Sequence, residues 1–312
     1  MRFTHPVNTL KKLGCGLAFG ATAIMAMPTS ALACTQIYMG SKLTADGNTY
    51  YGRSEDFGPR YVKHFGIEPA HKDGNEYTSV ESGFEYKSKG ATYRYTFVRD
   101  NPSQWEDRYD AYSEAGINEK GVSCSATLST SYNEKAEEAD PNPITEETGI
   151  GEYSYASVIL GESATAREGV ELIGSLIDEQ GVCSNDQIII ADSTETWLFA
   201  ALSGHQWIAM KLADDIASLN PNIGNLTYNV DLDDTENCLH SEGIESMPKE
   251  KGFAEYTDGK FDVAKTYGEE ISEAGMHQWS RYIQGRDYFM APLAEGTDYE
   301  IVKDEREEAR AT

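Results

Sequence analysis

Residues 34–57 read CTQIYMGSKLTADGNTYYGRSEDF, opening on a cysteine placed directly behind the small-residue triplet Ala31-Leu32-Ala33. Thr35 to Gly40 has the pattern of a short strand, Ala45-Asp46-Gly47-Asn48 that of a turn, and Thr49 to Ser54 that of a second strand. The Asp-Gly pair favours a tight hairpin. Such a unit carries Arg53, Glu55 and Asp56 back beside Cys34.

What precedes Cys34 reads as a secretory signal. Arg2, Lys11 and Lys12 supply a positive start, and Leu13 to Met27 is an apolar run rich in Ala and Gly. Pro28-Thr29-Ser30 breaks that run ahead of a small-x-small cleavage site. The run is shorter than the roughly 18 residues expected of a spanning helix, and no later segment is long and apolar enough to be one. The sequence therefore predicts residues 1–33 as a signal peptide and a secreted or periplasmic mature chain without stable membrane insertion. The rival reading is a lipid-anchored, non-catalytic surface protein. It calls for Leu three residues before the cysteine, where Ala31 stands. Losing residues 1–33 takes the formal charge from −26 to −29. A surface that acidic repels phosphate backbones and anionic lipid, which argues against nucleic acid as a partner.

Downstream, Phe84 to Arg99 is rich in Tyr and Phe around a Ser88-Lys89-Gly90 turn, and Ile117 to Val122 looks like another hairpin. Residues 133–150, acidic and Pro-containing, read as a surface loop. Thr165 and Glu168 form a capping box for a helix whose Val170, Ile173, Leu176 and Ile177 share one face and which Gly181 closes. Gln187–Ala191, Thr196–Leu202 and Gln206–Leu212 follow as a three-strand meander, with Trp197 and Trp207 as packing residues. Helical stretches are expected around Phe261–Tyr267 and His277–Met290, ahead of a charged tail. Strands and helices mixed without β-α alternation predict an α+β layered fold.

Export would permit a disulfide among Cys124, Cys183 and Cys238, but the spacing assigns no pair. The absence of CxxC and HExxH spacing, with six scattered histidines, argues against a zinc site. Asp231-Leu232-Asp233-Asp234 resembles a calcium loop only faintly, with Glu236 where the turn needs Gly, and reads as a solvated acidic loop.

Cleavage after Ala33 would give Cys34 a thiol and a free α-amine together. The amine has an ordinary pKa near 7.7–8.0 and the thiol one near 8.5. A fraction of the amine is then unprotonated at neutral pH and can take the thiol proton, which is the logic of an N-terminal nucleophile. A retained leader locks that nitrogen in an amide and removes its basicity. Arg53 beside the sulfur would favour thiolate, and the Asp56 carboxylate could hold the α-ammonium.

Four segments in order resemble one known family: CTQIYMGSKLTADGNTYYGRSEDF, then EAGINEKGVSCSAT from Glu114, IIIADSTETWLFAALSGHQWIAMKLADDIASLNPN from Ile188, and GKFDVAKTYG from Gly259. The chain is similar to the dipeptidase A family of N-terminal-nucleophile cysteine peptidases over most of residues 34–292. Penicillin V acylases and bile-salt hydrolases are its wider relations, and the resemblance implies their four-layer αββα sandwich over residues 34–300, with 301–312 as a tail. It further implies Cys34 as nucleophile and base, supported by Arg53 and Asp56. Asn222 would stabilise the oxyanion, with Asn220 as the alternative, and Arg281 would pack near the nucleophile, with Arg286 as the alternative. Dipeptides are the implied substrates and no metal or organic cofactor is needed; a homo-oligomer is compatible with the reading. Around Thr127, where the acylase branch carries an asparagine, this chain has SATLST, which favours dipeptides over N-acyl amides. Family chains usually run longer, whereas this one stops soon after Pro292. Asn225-Leu226-Thr227 fits a glycosylation sequon, meaningful only in a eukaryotic secretory path.

Overall fold

Ile188, Ile189 and Ile190 are all fully buried. Successive side chains of a strand point to opposite faces, so a strand carrying these three has to be covered on both sides. A computed structural model of the chain describes residues 34–56, 62–79, 83–100, 113–130, 132–142, 149–224, 230–269 and 280–285, and shows both covers.

The chain opens with β1 (Thr35–Met39), β2 (Tyr50–Ser54), β3 (Lys63–Glu68), β4 (Glu76–Thr78) and β5 (Glu85–Lys87). Next come β6 (Tyr95–Asp100), β7 (Ser113–Asn118), β8 (Ser123–Ser129), α1 (Glu134–Ala139), α2 (Tyr155–Glu162) and α3 (Ala166–Gln180). The meander β9 (Asp186–Ala191), β10 (Thr196–Ala201) and β11 (Trp207–Lys211) leads to β12 (Ala217–Pro221) and β13 (Cys238–His240). After these stand α4 (Ser246–Lys251), β14 (Tyr256–Thr257), β15 (Lys260–Phe261) and α5 (Val263–Tyr267). One sheet has eight strands in the order β13-β11-β10-β9-β8-β7-β6-β3, and a second has three in the order β12-β1-β2.

The faces of the large sheet divide by parity. Ile188, Ile190, Trp197, Phe199 and Trp207 pack under α2 and α3. Ile189, Leu198, Ala200 and Ile208 point the other way, into a core shared with Tyr51 of β2 and with Val263 and Tyr267 of α5. Gln36, fully buried on β1, ties the two sheets together. Its Nε2 donates to the backbone oxygens of Ser125 (3.1 Å) and Gln187 (3.4 Å) on the large sheet. On the outer side of the small sheet, helical residues 280–285 bring Gly285 so close to Leu219 that an added Cβ would stand 2.1 Å from its Cδ1. Helices, large sheet, small sheet and this outer segment make the α+β, αββα arrangement.

The capping reading of α3 holds in detail. Thr165 accepts from the Glu168 backbone N–H (3.1 Å), Glu168 accepts from Ala164 N–H (2.7 Å), and Gly181 ends the helix at φ +76°. Three expectations need correction, and one helix was not anticipated. The link between β1 and β2 is not a tight hairpin: it contains a 3-10 turn at Ser41–Leu43, because Gly40 and Lys42 donate to the backbone of Ile216 and Asp214. Phe84 to Arg99 is not one hairpin either, since β5 pairs with β4 and β6 with β3 and β7. The backbone between them is captured by His71 and Gly161. Within residues 133–150, Asn133 caps α1 through Ala136 N–H (3.0 Å), and Ala136 is fully buried, so part of the segment is helix. The helix α2 escaped the periodic reading because Tyr155, Ala156, Val158, Ile159 and Leu160 are all buried and leave no single apolar stripe.

Cys34, Cys124, Cys183 and Cys238 are all free thiols. Residues 1–33, the sequon Asn225-Leu226-Thr227, Arg286 and the tail 301–312 lie outside the described residues, as does the side chain of Thr127. Among the described residues no helix is long and apolar enough to cross a membrane.

Gln36→Leu keeps the volume but strips both inter-sheet hydrogen bonds, so it should destabilise the fold by about 1–3 kcal/mol in urea unfolding. An unchanged midpoint would mean that the sheets are held together without them.

Candidate active site

Antiparallel pairing places Thr35 opposite both Ser54 on β2 and Pro221 on β12. One step back along β1, Cys34 therefore faces the ends of both neighbours, where Glu55 and Asp56 follow β2 and Asn222 follows β12. The register alone brings together residues separated by up to 188 positions.

The backbone nitrogen of Cys34 donates to Asn222 Oδ1 at 2.8 Å. Its sulfur receives Arg53 Nη1 at 3.4 Å and a hydrogen bond from the backbone of Asp56. Arg281 Nη1 donates to the Cys34 carbonyl oxygen and, at 2.7 Å, to Thr35 Oγ1, while Nη2 donates to Asn222 Oδ1 at 3.1 Å. The guanidinium of Arg281 thus clamps the start of β1 to the residue that follows β12. Two donors converge on the Asn222 oxygen, which fixes its amide so that the oxygen faces Cys34.

All five residues singled out from the sequence gather here. The Cys34 nitrogen, still in its peptide bond to Ala33, donates to the Asn222 oxygen; Asp56 meets the sulfur through its backbone, and its charge acts on Arg281. Asn220, the alternative, is fully buried inside β12 and accepts from Ser218 Oγ at 2.9 Å.

Burial raises the Cys34 thiol above its ordinary pKa, with the Glu55 charge adding to the effect. The charge and hydrogen bond of Arg53 and the Asp56 backbone pull the other way. Burial also lowers Arg281, against the charges of Asp56 and Cys34, although a guanidinium stays protonated in proteins.

Behind Arg53 lies a cluster that sequence reasoning missed. Arg53 Nη2 donates to Glu114 Oε2 (3.1 Å), and Lys63 Nζ bonds both Glu55 (2.7 Å) and Glu114 (2.5 Å). Burial, then the hydrogen bond and charge of Glu55, push the Glu114 carboxyl up to about 8. Burial works against Glu55 as well, but the hydrogen bonds from Glu114 and Lys63 and the charges of Lys63 and Arg53 hold it below its ordinary value. The only sequence signal was that Glu114 opens the third-from-last of the quoted segments; Lys63 gave none.

The sequence profile of Peptidase family C69 matches residues 33–300. A "Probable dipeptidase B" of Streptococcus pyogenes serotype M3 is 36% identical over 296 residues, covering 94% of this chain and 57% of the relative. A "Probable dipeptidase" of Salmonella dublin is 33% identical over 252 residues, covering 80% of this chain and 56% of the relative. The chain thus spans little more than half the length of these curated relatives. Among solved structures, a penicillin V acylase from Agrobacterium tumefaciens aligns at TM-score 0.34 and 13% identity, covering 61% of this chain and 49% of its own. A conjugated bile acid hydrolase from Clostridium perfringens aligns at TM-score 0.31 and 13% identity, over 86% of this chain and 77% of its own.

The Glu114 carboxyl has an ordinary pKa of 4.5 and a folded one of about 8, so the folded chain holds an extra proton between those values. Its contribution to stability is complete below the lower value and is lost as pH rises toward the upper one. Glu55, being depressed, acts only below its ordinary range. Between about pH 4.5 and about pH 8 the Tm of the wild type should fall more steeply than that of Glu114→Gln. Parallel Tm–pH curves would show that Glu114 does not titrate there.

Proposed function

The chain belongs to Peptidase family C69, and on that premise we propose that it is an exported cysteine dipeptidase whose nucleophile is Cys34, exposed by removal of residues 1–33. The observation that carries the reading is the double hold on one residue: nitrogen on Asn222 at 2.8 Å, sulfur under Arg53 at 3.4 Å. Substrate class comes from the relatives, whose names are those of dipeptidases.

With residues 1–33 attached, the Cys34 nitrogen is an amide and carries no basic lone pair. Freed, it takes the thiol proton, and the thiolate attacks the carbonyl carbon of the substrate's peptide bond. A C–S bond forms and the carbonyl oxygen becomes an oxyanion, received by the Asn222 side-chain amide N–H and a backbone N–H. The α-ammonium gives its proton to the leaving nitrogen as the C–N bond breaks, and the first amino acid departs. Water, deprotonated by the same amine, then attacks the thioester, the C–S bond breaks, and the second product leaves with the thiol restored. Arg53 offsets the burial that disfavours thiolate, and Arg281 holds the terminal residue by its carbonyl so that nitrogen and sulfur keep their directions. These steps draw on residues of this chain and water alone.

Cys34→Ser should fold and be exported yet lose nearly all dipeptide hydrolysis; turnover at the wild-type rate would remove the thiol from the mechanism. One extra residue between Ala33 and Cys34 that survives processing should abolish activity as well, since the amine moves away from the sulfur. N-terminal sequencing of the secreted protein checks that the mature chain starts at Cys34. Asn222→Ala should lower kcat by about 10²–10³, the usual effect of removing one oxyanion donor.

A further inference from the structure

We propose that Glu114 is a positioning residue for Arg53: anchored by Lys63, it fixes the guanidinium on the Cys34 sulfur and sets how strongly that cation favours thiolate. The inference deepens the proposed function and rests on its choice of nucleophile.

A guanidinium is a rigid planar fork, so holding one arm fixes the direction of the other. Arg53 gives one arm to the sulfur and the other to Glu114 Oε2, while the second Glu114 oxygen is taken by Lys63. The side chains of Arg53 and Glu114 are only 9% and 10% exposed, so water does not readily replace either contact. Arg53 stands on β2 in the small sheet, and Glu114 and Lys63 stand on β7 and β3 in the large one. The anchor therefore spans the sandwich, and Arg53 cannot swing away without breaking a link between layers.

Arg53 and Glu55 face Glu114 from β2 and its end, and Lys63 faces it from β3. Arg99 on the adjoining β6 pairs with Ser113 in the ladder but lays its guanidinium over the Phe97 ring at 4.6 Å. Two cations thus meet two carboxyl groups. Once ionised, Glu114 draws on the field of Arg53 that would otherwise act on the sulfur; with its proton it remains an anchor without that cost. Burial and the neighbouring Glu55 keep the proton on Glu114 to about pH 8.

The test uses the secreted, processed chain with Glu114→Gln and Glu114→Leu variants. Alkylation of Cys34 by iodoacetamide is followed across pH by peptide mass, a readout independent of any dipeptide assay. Glu114→Gln keeps an oxygen for Arg53 but never ionises, so its alkylation midpoint should move to lower pH by about 0.5–1. Glu114→Leu releases Arg53, and alkylation at neutral pH should fall about tenfold, the effect of one unit in thiol pKa. For dipeptides the same variant should lose kcat by about tenfold or more with KM changed less than twofold. Wild-type alkylation midpoints in Glu114→Gln, whatever its Tm, would overturn the proposal and leave Glu114 a structural ion-pair partner. If Glu114→Leu fails to fold, the Gln midpoint decides alone. Shifted midpoints in a chain that hydrolyses no dipeptide would retain the Glu114 role and refute the proposed function.

Discussion

The central position of β1 in the small sheet is the constraint on which the rest depends. Because Thr35 is opposed at once by Ser54 and Pro221, the residue before it lies between the ends of two flanking strands. One side delivers Arg53, Glu55 and the Asp56 backbone, and the other delivers Asn222. A slip of one residue in either pairing would turn Gln36 and Arg53 to the opposite face of the sheet. Gln36 guards against that slip, since its buried amide donates to the large sheet.

Burial and charge oppose each other around the thiol. Removing Cys34 from water favours the neutral thiol, and the compensation comes from fixed donors, with Arg53 first among them. Bringing an arginine into a largely buried position needs an acceptor for its fork, and Glu114 supplies one. Glu114 in turn needs Lys63, and the carboxylate left over, Glu55, shares that lysine. The cluster gathers two basic and two acidic side chains in a chain whose formal charge is −26.

Much of the architecture is legible in single segments. The meander of β9 to β11 announces itself by apolar runs between polar turns, and α3 by a cap at Thr165, one apolar face and a closing Gly181. Those signals are local, and the structure preserves them. The helix α2 was illegible for the opposite reason: covered on nearly every side, it carries no polar face to mark a period. The Asp46-Gly47 turn misled because residues 40–43 are shaped by Asp214 and Ile216, far away in the chain.

Among site residues, Cys34, Arg53 and Asp56 could be read from one short stretch because strand, turn and strand return the chain on itself. Asn222 and Arg281 came from resemblance, and only the tertiary structure assigned their contacts. The roles of Glu114 and Lys63 were invisible, since nothing local distinguishes a carboxylate or an amine that will be buried from one that will be solvated. The sequence by itself determined the elements with local signals, α3 and the meander β9 to β11, and set Cys34, Arg53 and Asp56 in one short stretch. Packing two sheets face to face decided the partner of each buried charge, because burial is a property of the assembled layers and not of any segment within them.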